Sequence, residues 1–156
     1  MEHRRIEMSG LYFEEFTVGQ VVKTLSRTVS EDAIFTFAGL TGDYNQIHTD
    51  AEFAKTTQFG QRVAHGLLGL SIATGLIMRT GFLEGTVLAF REIQDWKFVK
   101  PIFIGDTIHA LLTVSETKAL PRIGAGALIA SVEVKNQTDE VLQKGTLNLL
   151  VLSKPK

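Results

Sequence analysis

The sequence predicts an α+β fold in which a curved antiparallel sheet wraps around one long central helix, and three observations carry that expectation. Val63 to Met78 is a run without formal charge. The segments after Gly81 alternate apolar and polar residues with the period of two that marks a half-buried strand. Those later segments are joined by short turns, which makes consecutive strands antiparallel. A helix that is apolar on nearly every side has to be enclosed, and a strongly curved sheet would enclose it.

The 156 residues suffice for one well-buried core. Residues 1–10 are expected to form a flexible N-terminus and residues 11–156 a single domain. Sixteen basic residues against seventeen acidic ones leave a net charge of −1 and no basic stripe, which argues against a nucleic-acid partner. Cysteine is absent and the four histidines lack metal-ligand spacing, so neither a disulfide framework nor a metal is expected. The first residues lack the apolar core of a secretory signal, and a cytoplasmic location is the default. The 16 residues from Val63 to Met78 fall short of the roughly 20 that cross a bilayer, so the run reads as a buried helix and no membrane is expected.

Along the chain, Leu11 to Val18 carries Tyr12, Phe13 and Phe16 and should lie across the core surface. Gln20 to Val29, rich in Val and Thr, reads as a first strand. Ser30 reads as an N-cap followed by Glu31 and Asp32 in the first helical turn. Ala33, Ile34, Phe37 and Ala38 share a face, and Gly39 supplies a stop. After a polar turn, Asp50 to Ala54 adds a single helical turn before the central helix. Thr86 to Phe90 is β-prone, and Trp96 and Phe98 alternate with Lys97 before Pro101; these two aromatics read as core or interface. Gly105-Asp106 is a turn. Ile108, Ala110, Leu112 and Val114 then point one way, while Thr107, His109, Thr113 and Ser115 point the other. Pro121 to Gly126 is a loop, Leu128 to Val134 alternates again, and Gln137 to Glu140 turns into a last strand, Val141 to Leu152. Roughly five strands result.

The chemistry concentrates between Gly39 and Gly75. Thr41-Gly42-Asp43-Tyr44-Asn45-Gln46-Ile47-His48 sets a carboxylate, an amide and an imidazole within six residues. An imidazole with a pKa near 6.5 exchanges protons around neutral pH, and a carboxylate beside it can share the same water. Asp-x-Asn in a glycine-containing turn also serves as a plain Asx turn. The start of the central helix, Ala64-His65-Gly66-Leu67, offers backbone N–H groups without internal partners, which favour developing negative charge. His65, at the helix entry, reads as hydrogen-bonding backbone. Ser71 and Thr74 lie one and two turns further along. His109 and His3 are assigned no role.

These residues resemble the MaoC-like dehydratases, or (R)-specific enoyl-CoA hydratases, of the hot-dog fold. That family's signature runs Gly-Asp-x-Asn-Pro-aliphatic-His, followed by His-Gly at the central helix. Here it reads Gly42-Asp43-Tyr44-Asn45-Gln46-Ile47-His48 and then His65-Gly66, with Gln46 in place of proline. The stretch Trp96 to Thr107 is similar to the family's following strand and turn. The resemblance implies reversible addition of water to a trans-2-enoyl thioester, giving an (R)-3-hydroxyacyl thioester, with no metal or redox cofactor. It casts Asp43 and His48 as the acid/base pair and Gly66 N–H as oxyanion donor. Asn45, His65, Ser71 and Thr74 are the residues expected around the substrate. The implied partners are an acyl-CoA or acyl-carrier thioester and a second copy of the chain, as a homodimer or dimer of dimers. Thioester hydrolysis and non-catalytic acyl-CoA binding on the same fold are the rival readings, because fold alone does not choose among them.

Overall fold

The computed structural model describes residues 10–155. Four long strands dominate it: β3 (Val87–Phe98), β4 (Thr107–Leu120), β5 (Ala125–Lys135) and β6 (Val141–Leu152), preceded by the short β1 (Val21–Lys23) and β2 (Arg27–Thr28). Every pairing is antiparallel, in the order β1-β4-β5-β6-β3, with β2 beside β4. The helices are α1 (Glu31–Thr41), α2 (Gln46–Thr49), α3 (Ala51–Lys55) and α4 (Gly66–Met78).

The alternation read in the sequence is what builds the inner face of the sheet. Ile108, Ala110, Leu112 and Val114 of β4 and Leu128, Ala130, Val132 and Val134 of β5 are all fully buried. The register places Ala110 opposite Val134 and Leu112 opposite Val132, so the two apolar series share one side. α4 lies on that side, burying Leu68, Leu70, Ile72, Ala73, Leu76 and Ile77. A long helix held in the curve of one antiparallel sheet is the hot-dog arrangement. No helix among the described residues is long and apolar enough to cross a membrane.

Several expectations change. α4 is not enclosed on every side: Leu67, Ser71, Gly75 and Met78, one helical stripe, remain exposed. The strand expected over Gln20–Val29 is two fragments. Between them Thr24 is buried, and its hydroxyl accepts the Ala110 N–H at 2.9 Å while donating to the Leu25 carbonyl at 2.7 Å, taking the place of a ladder bond. α1 runs through Gly39 to Thr41 and stops at Gly42, whose φ of +79° closes the helix with its N–H on the Ala38 carbonyl at 2.8 Å. The two β-prone patches at Thr86–Phe90 and Trp96–Phe98 fuse into β3, a 12-residue strand with register shifts. With the two fragments, the described residues form six strands where roughly five are expected.

His109, expected on a polar face, is buried, with Asp139 Oδ1 of the β5–β6 turn 3.5 Å from its Nε2. The flexible N-terminus expected over residues 1–10 lies outside the described residues except at Gly10. That residue is buried, its N–H donating to the Glu84 carbonyl at 2.6 Å. Leu11 to Val18 does cross the core: Phe16 is buried, and the Phe13 ring occupies the space any side chain at Gly126 would need.

Candidate active site

The turn between α1 and α2 is held by its own short polar side chains. Thr41 Oγ1 donates to the Phe37 carbonyl at 2.8 Å and accepts from Asp43 N–H at 3.3 Å. Asp43 Oδ1 accepts from Asn45 N–H at 3.3 Å, and Asn45 Oδ1 accepts from Ile47 N–H at 3.2 Å, capping α2. Asp43 and Asn45 are therefore Asx-type turn formers, and that turn is what delivers His48.

His48 sits within α2, only 8% exposed. Its Nδ1 lies 2.7 Å from the Val63 carbonyl. A carbonyl only accepts, so Nδ1 carries the hydrogen and Nε2 keeps a free lone pair. Burial lowers the pKa of His48, reinforced by the neighbouring His65 and opposed by the Val63 carbonyl and the Asp43 carboxylate. The imidazole is thus a neutral base at neutral pH.

His65, the residue before α4, donates from Nε2 to the Asp43 backbone carbonyl at 2.8 Å. It ties the polar turn to the helix entry across 22 residues of sequence and stacks on His48, ring centroids 3.8 Å apart at 29°. Phe37 borders its ring at 5.0 Å, and its Nδ1 is buried without a partner. Asp43, His48 and His65 bring one donor atom each within 4.8 Å of one another. Stacked imidazoles hold their in-plane lone pairs side by side rather than converging, so this arrangement does not suit one metal ligated by both rings.

His48 lines a cavity of about 430 Å³ together with Gly66, Leu67, Phe98, Lys100 and Gln143. Gly66 is the first residue of α4, where an N–H has no intrahelical partner. A Cβ there would come within 2.7 Å of the Phe98 ring, so glycine is what allows that ring to close against the helix entry. Asp43 and Asn45 are exposed on the turn, with the Asp43 carboxylate approaching from beside the cavity.

Ser71 and Thr74 are not brought to this cavity. Their hydroxyls donate to the Leu67 carbonyl at 2.7 Å and the Ser71 carbonyl at 2.8 Å, within their own helix. Ser71 lines a separate hollow of about 550 Å³ between α1 and α4. Sequence reasoning missed Gln143, 1% exposed, whose Nε2 donates to the Gly66 carbonyl at 2.9 Å and whose Oε1 accepts from Trp96 Nε1 at 3.3 Å. The signal was available: Gln143 falls in phase with Leu147, Leu149 and Val151, an amide among the inward-facing apolar residues of β6.

A model of the MaoC-like domain matches residues 14–137. The Bacillus subtilis (strain 168) protein YdeM, itself uncharacterized, is 33% identical over 138 residues, covering 88% of this chain and 96% of that one. An (R)-specific enoyl-CoA hydratase of Rhodospirillum rubrum is 38% identical over 108 residues, 67% of this chain and 69% of that enzyme. The X-ray structure of a protein called monoamine oxidase regulatory protein, from Archaeoglobus fulgidus, aligns with a TM-score of 0.87 at 40% identity, covering 94% of this chain and 97% of that one.

Proposed function

This chain belongs to the MaoC-like domain family, and from that premise we propose that it hydrates trans-2-enoyl thioesters reversibly to (R)-3-hydroxyacyl thioesters. The observation that carries this reading is His48: a buried imidazole with Nδ1 anchored, Nε2 free and a lowered pKa, facing the same cavity as the N-terminus of α4. Similarity to the R. rubrum hydratase supports the reaction class.

In the hydration direction a water lies between His48 Nε2 and the Asp43 carboxylate. The pair removes one proton as the hydroxyl adds to C3 of the enoyl group. The C2=C3 electrons move toward the thioester, and the enolate oxygen accepts the Gly66 N–H at the positive end of α4. The same pair returns one proton to C2, so one water is added and the enzyme ends as it began. Asn45 holds the turn in register, and His65 fixes Asp43 through its carbonyl. Neither metal nor redox cofactor takes part in this scheme; the carrier, CoA or an acyl carrier protein, is part of the substrate. The working unit is a homodimer formed through the open edge of the sheet, and the protein works in the cytoplasm.

The test is the absorbance of the conjugated enoyl thioester, with crotonyl-CoA and a longer trans-2-enoyl-CoA as substrates. Wild type is expected to consume it without releasing thiol and to yield the (R) product. Asp43→Asn, which can still accept the Asn45 N–H, and His48→Gln are each expected to lose about 10²- to 10⁴-fold in rate, the usual span for a positioned acid/base group. Free thiol appearing at the rate of absorbance loss would replace hydration with thioester hydrolysis. Binding without turnover on either chain length would make the protein an acyl-thioester-binding module.

A further inference from the structure

We propose that Gln143 is a positioning residue for oxyanion stabilisation, aiming the first turn of α4 through the Gly66 carbonyl. This rests on the reading that Gly66 N–H serves the thioester oxygen. A buried primary amide must find hydrogen-bond partners, and those of Gln143 belong to the site. Trp96 of β3 donates to Gln143 of β6, which donates to Gly66 of α4. The relay joins three elements around the cavity that Gly66 and Gln143 both line.

The need for such a tether follows from the glycine. Position 66 has no room for a Cβ while the Phe98 ring lies against the helix entry, and a residue without a Cβ has the widest backbone freedom. As a helix carbonyl, the Gly66 C=O serves the α4 ladder with one lone pair. The Gln143 amide takes the other and so fixes the direction of the Gly66 backbone. Gly69, three residues on and on the same helical face, clears room for that amide: a Cβ there would collide with Gln143 Nε2 and Ile102 Cδ1. The exposed stripe of α4 makes no comparable demand, since a Cβ at Gly75 meets nothing within 4 Å.

The experiment compares wild type, Gln143→Met and Gln143→Glu, measuring steady-state hydration and calorimetric binding of two ligands. One ligand is butyryl-CoA, a saturated thioester. The other is the butyl-CoA thioether, which lacks the carbonyl. Wild type is expected to favour the thioester. Gln143→Met should narrow that preference and lower kcat by about 10- to 100-fold, less than the roughly 10²- to 10³-fold cost of deleting an oxyanion donor itself. Its affinity for the thioether should stay within about twofold, a split that general loosening of the core would not produce.

Gln143→Glu keeps the volume and the acceptor for Trp96, and guards against a Met variant that fails to fold. Its protonated carboxyl can donate to the Gly66 carbonyl and its carboxylate cannot. This variant should therefore acquire an extra ionisation, losing activity as the pH rises, that wild type does not show. If wild type hydrates enoyl thioesters and prefers the thioester, while both variants match it in kcat, in preference and in pH profile, the role of Gln143 is overturned and the hydratase reading stands. If wild type neither hydrates nor distinguishes the two ligands, the hydratase reading fails and this inference falls with it.

Discussion

A single hydrogen bond decides what His48 can do. With Nδ1 spent on the Val63 carbonyl and Nε2 free, and with burial favouring the neutral form, the acid limb of kcat/KM is expected to have its midpoint below the ~6.5 of an ordinary imidazole. A midpoint above that value in a pH-rate profile would remove His48 from the role of base. The same shift bears on stability, and His109 shares it. Burial and the Lys23 and Lys135 ammonium groups lower the His109 pKa, while Asp139 opposes them. Well above about pH 6.5 both histidines are neutral folded or unfolded and contribute nothing; as pH falls through that value the unfolded chain binds protons that the folded one refuses. Stability should therefore decline on acidification until the lower folded values are reached. His109→Gln should flatten that decline in urea midpoints compared at about pH 8 and about pH 5. Gly66→Ala tests the helix entry: its Cβ would displace the Phe98 ring, which is 55% exposed and free to swing. Activity is expected to fall about 10²-fold with little change in the melting temperature, because the new methyl obstructs the approach of the thioester oxygen to the N–H of residue 66 while the core is kept.

At the scale of elements, α4 and the β4–β5 pair were legible because each has one dominant signal. For α4 it is length without charge; for the strands it is strict alternation, and Ile108 through Val114 are buried just where the period of two puts them. Elements decided by one side chain or one dihedral angle were not legible. The first strand breaks where the Thr24 hydroxyl takes the Ala110 N–H, a partner 86 residues away. Gly39 and Gly42 are equal as letters, and only the demand for positive φ selects the second. The site divides the same way: the carboxylate, amide and imidazole of the turn stood out in the sequence through their resemblance to the family signature, whereas Gln143, 77 residues from Gly66, reaches the helix entry only through the fold. Gly69→Ala measures how closely α4 is set against β6. The new methyl meets a fully buried amide and Ile102, neither able to move into solvent, so a loss of about 1–3 kcal/mol is expected from denaturant titration. Ser30→Ala, which removes the acceptor of the Ala33 N–H at 3.2 Å, should cost about 1 kcal/mol and act through α1 alone.

Among the described residues, one edge of the sheet is left open. β3 pairs with β6 on one side and with no described strand on the other, and that open edge of a 12-residue strand is a template for a second chain. Phe90 and Ile93 sit opposite Leu149 and Leu147, two inward-facing residues of β6. They therefore lie on the side of the sheet that holds α4, yet are 47% and 42% exposed. The bare stripe of α4, Leu67 to Met78, lies on that side too. Antiparallel pairing of β3 with its copy would extend the sheet across a two-fold axis and cover both surfaces by the same contact. Light scattering is then expected to give twice the 17.2 kDa of one chain, and Ile93→Lys, which places an ammonium group within that contact, should return the mass to 17.2 kDa. Phe98, which ends β3, and Val99 just after it also line the cavity of His48. Loss of the dimer should therefore lower hydration in step with mass across a dilution series, and a monomeric variant with full activity would show that the site is complete within one chain.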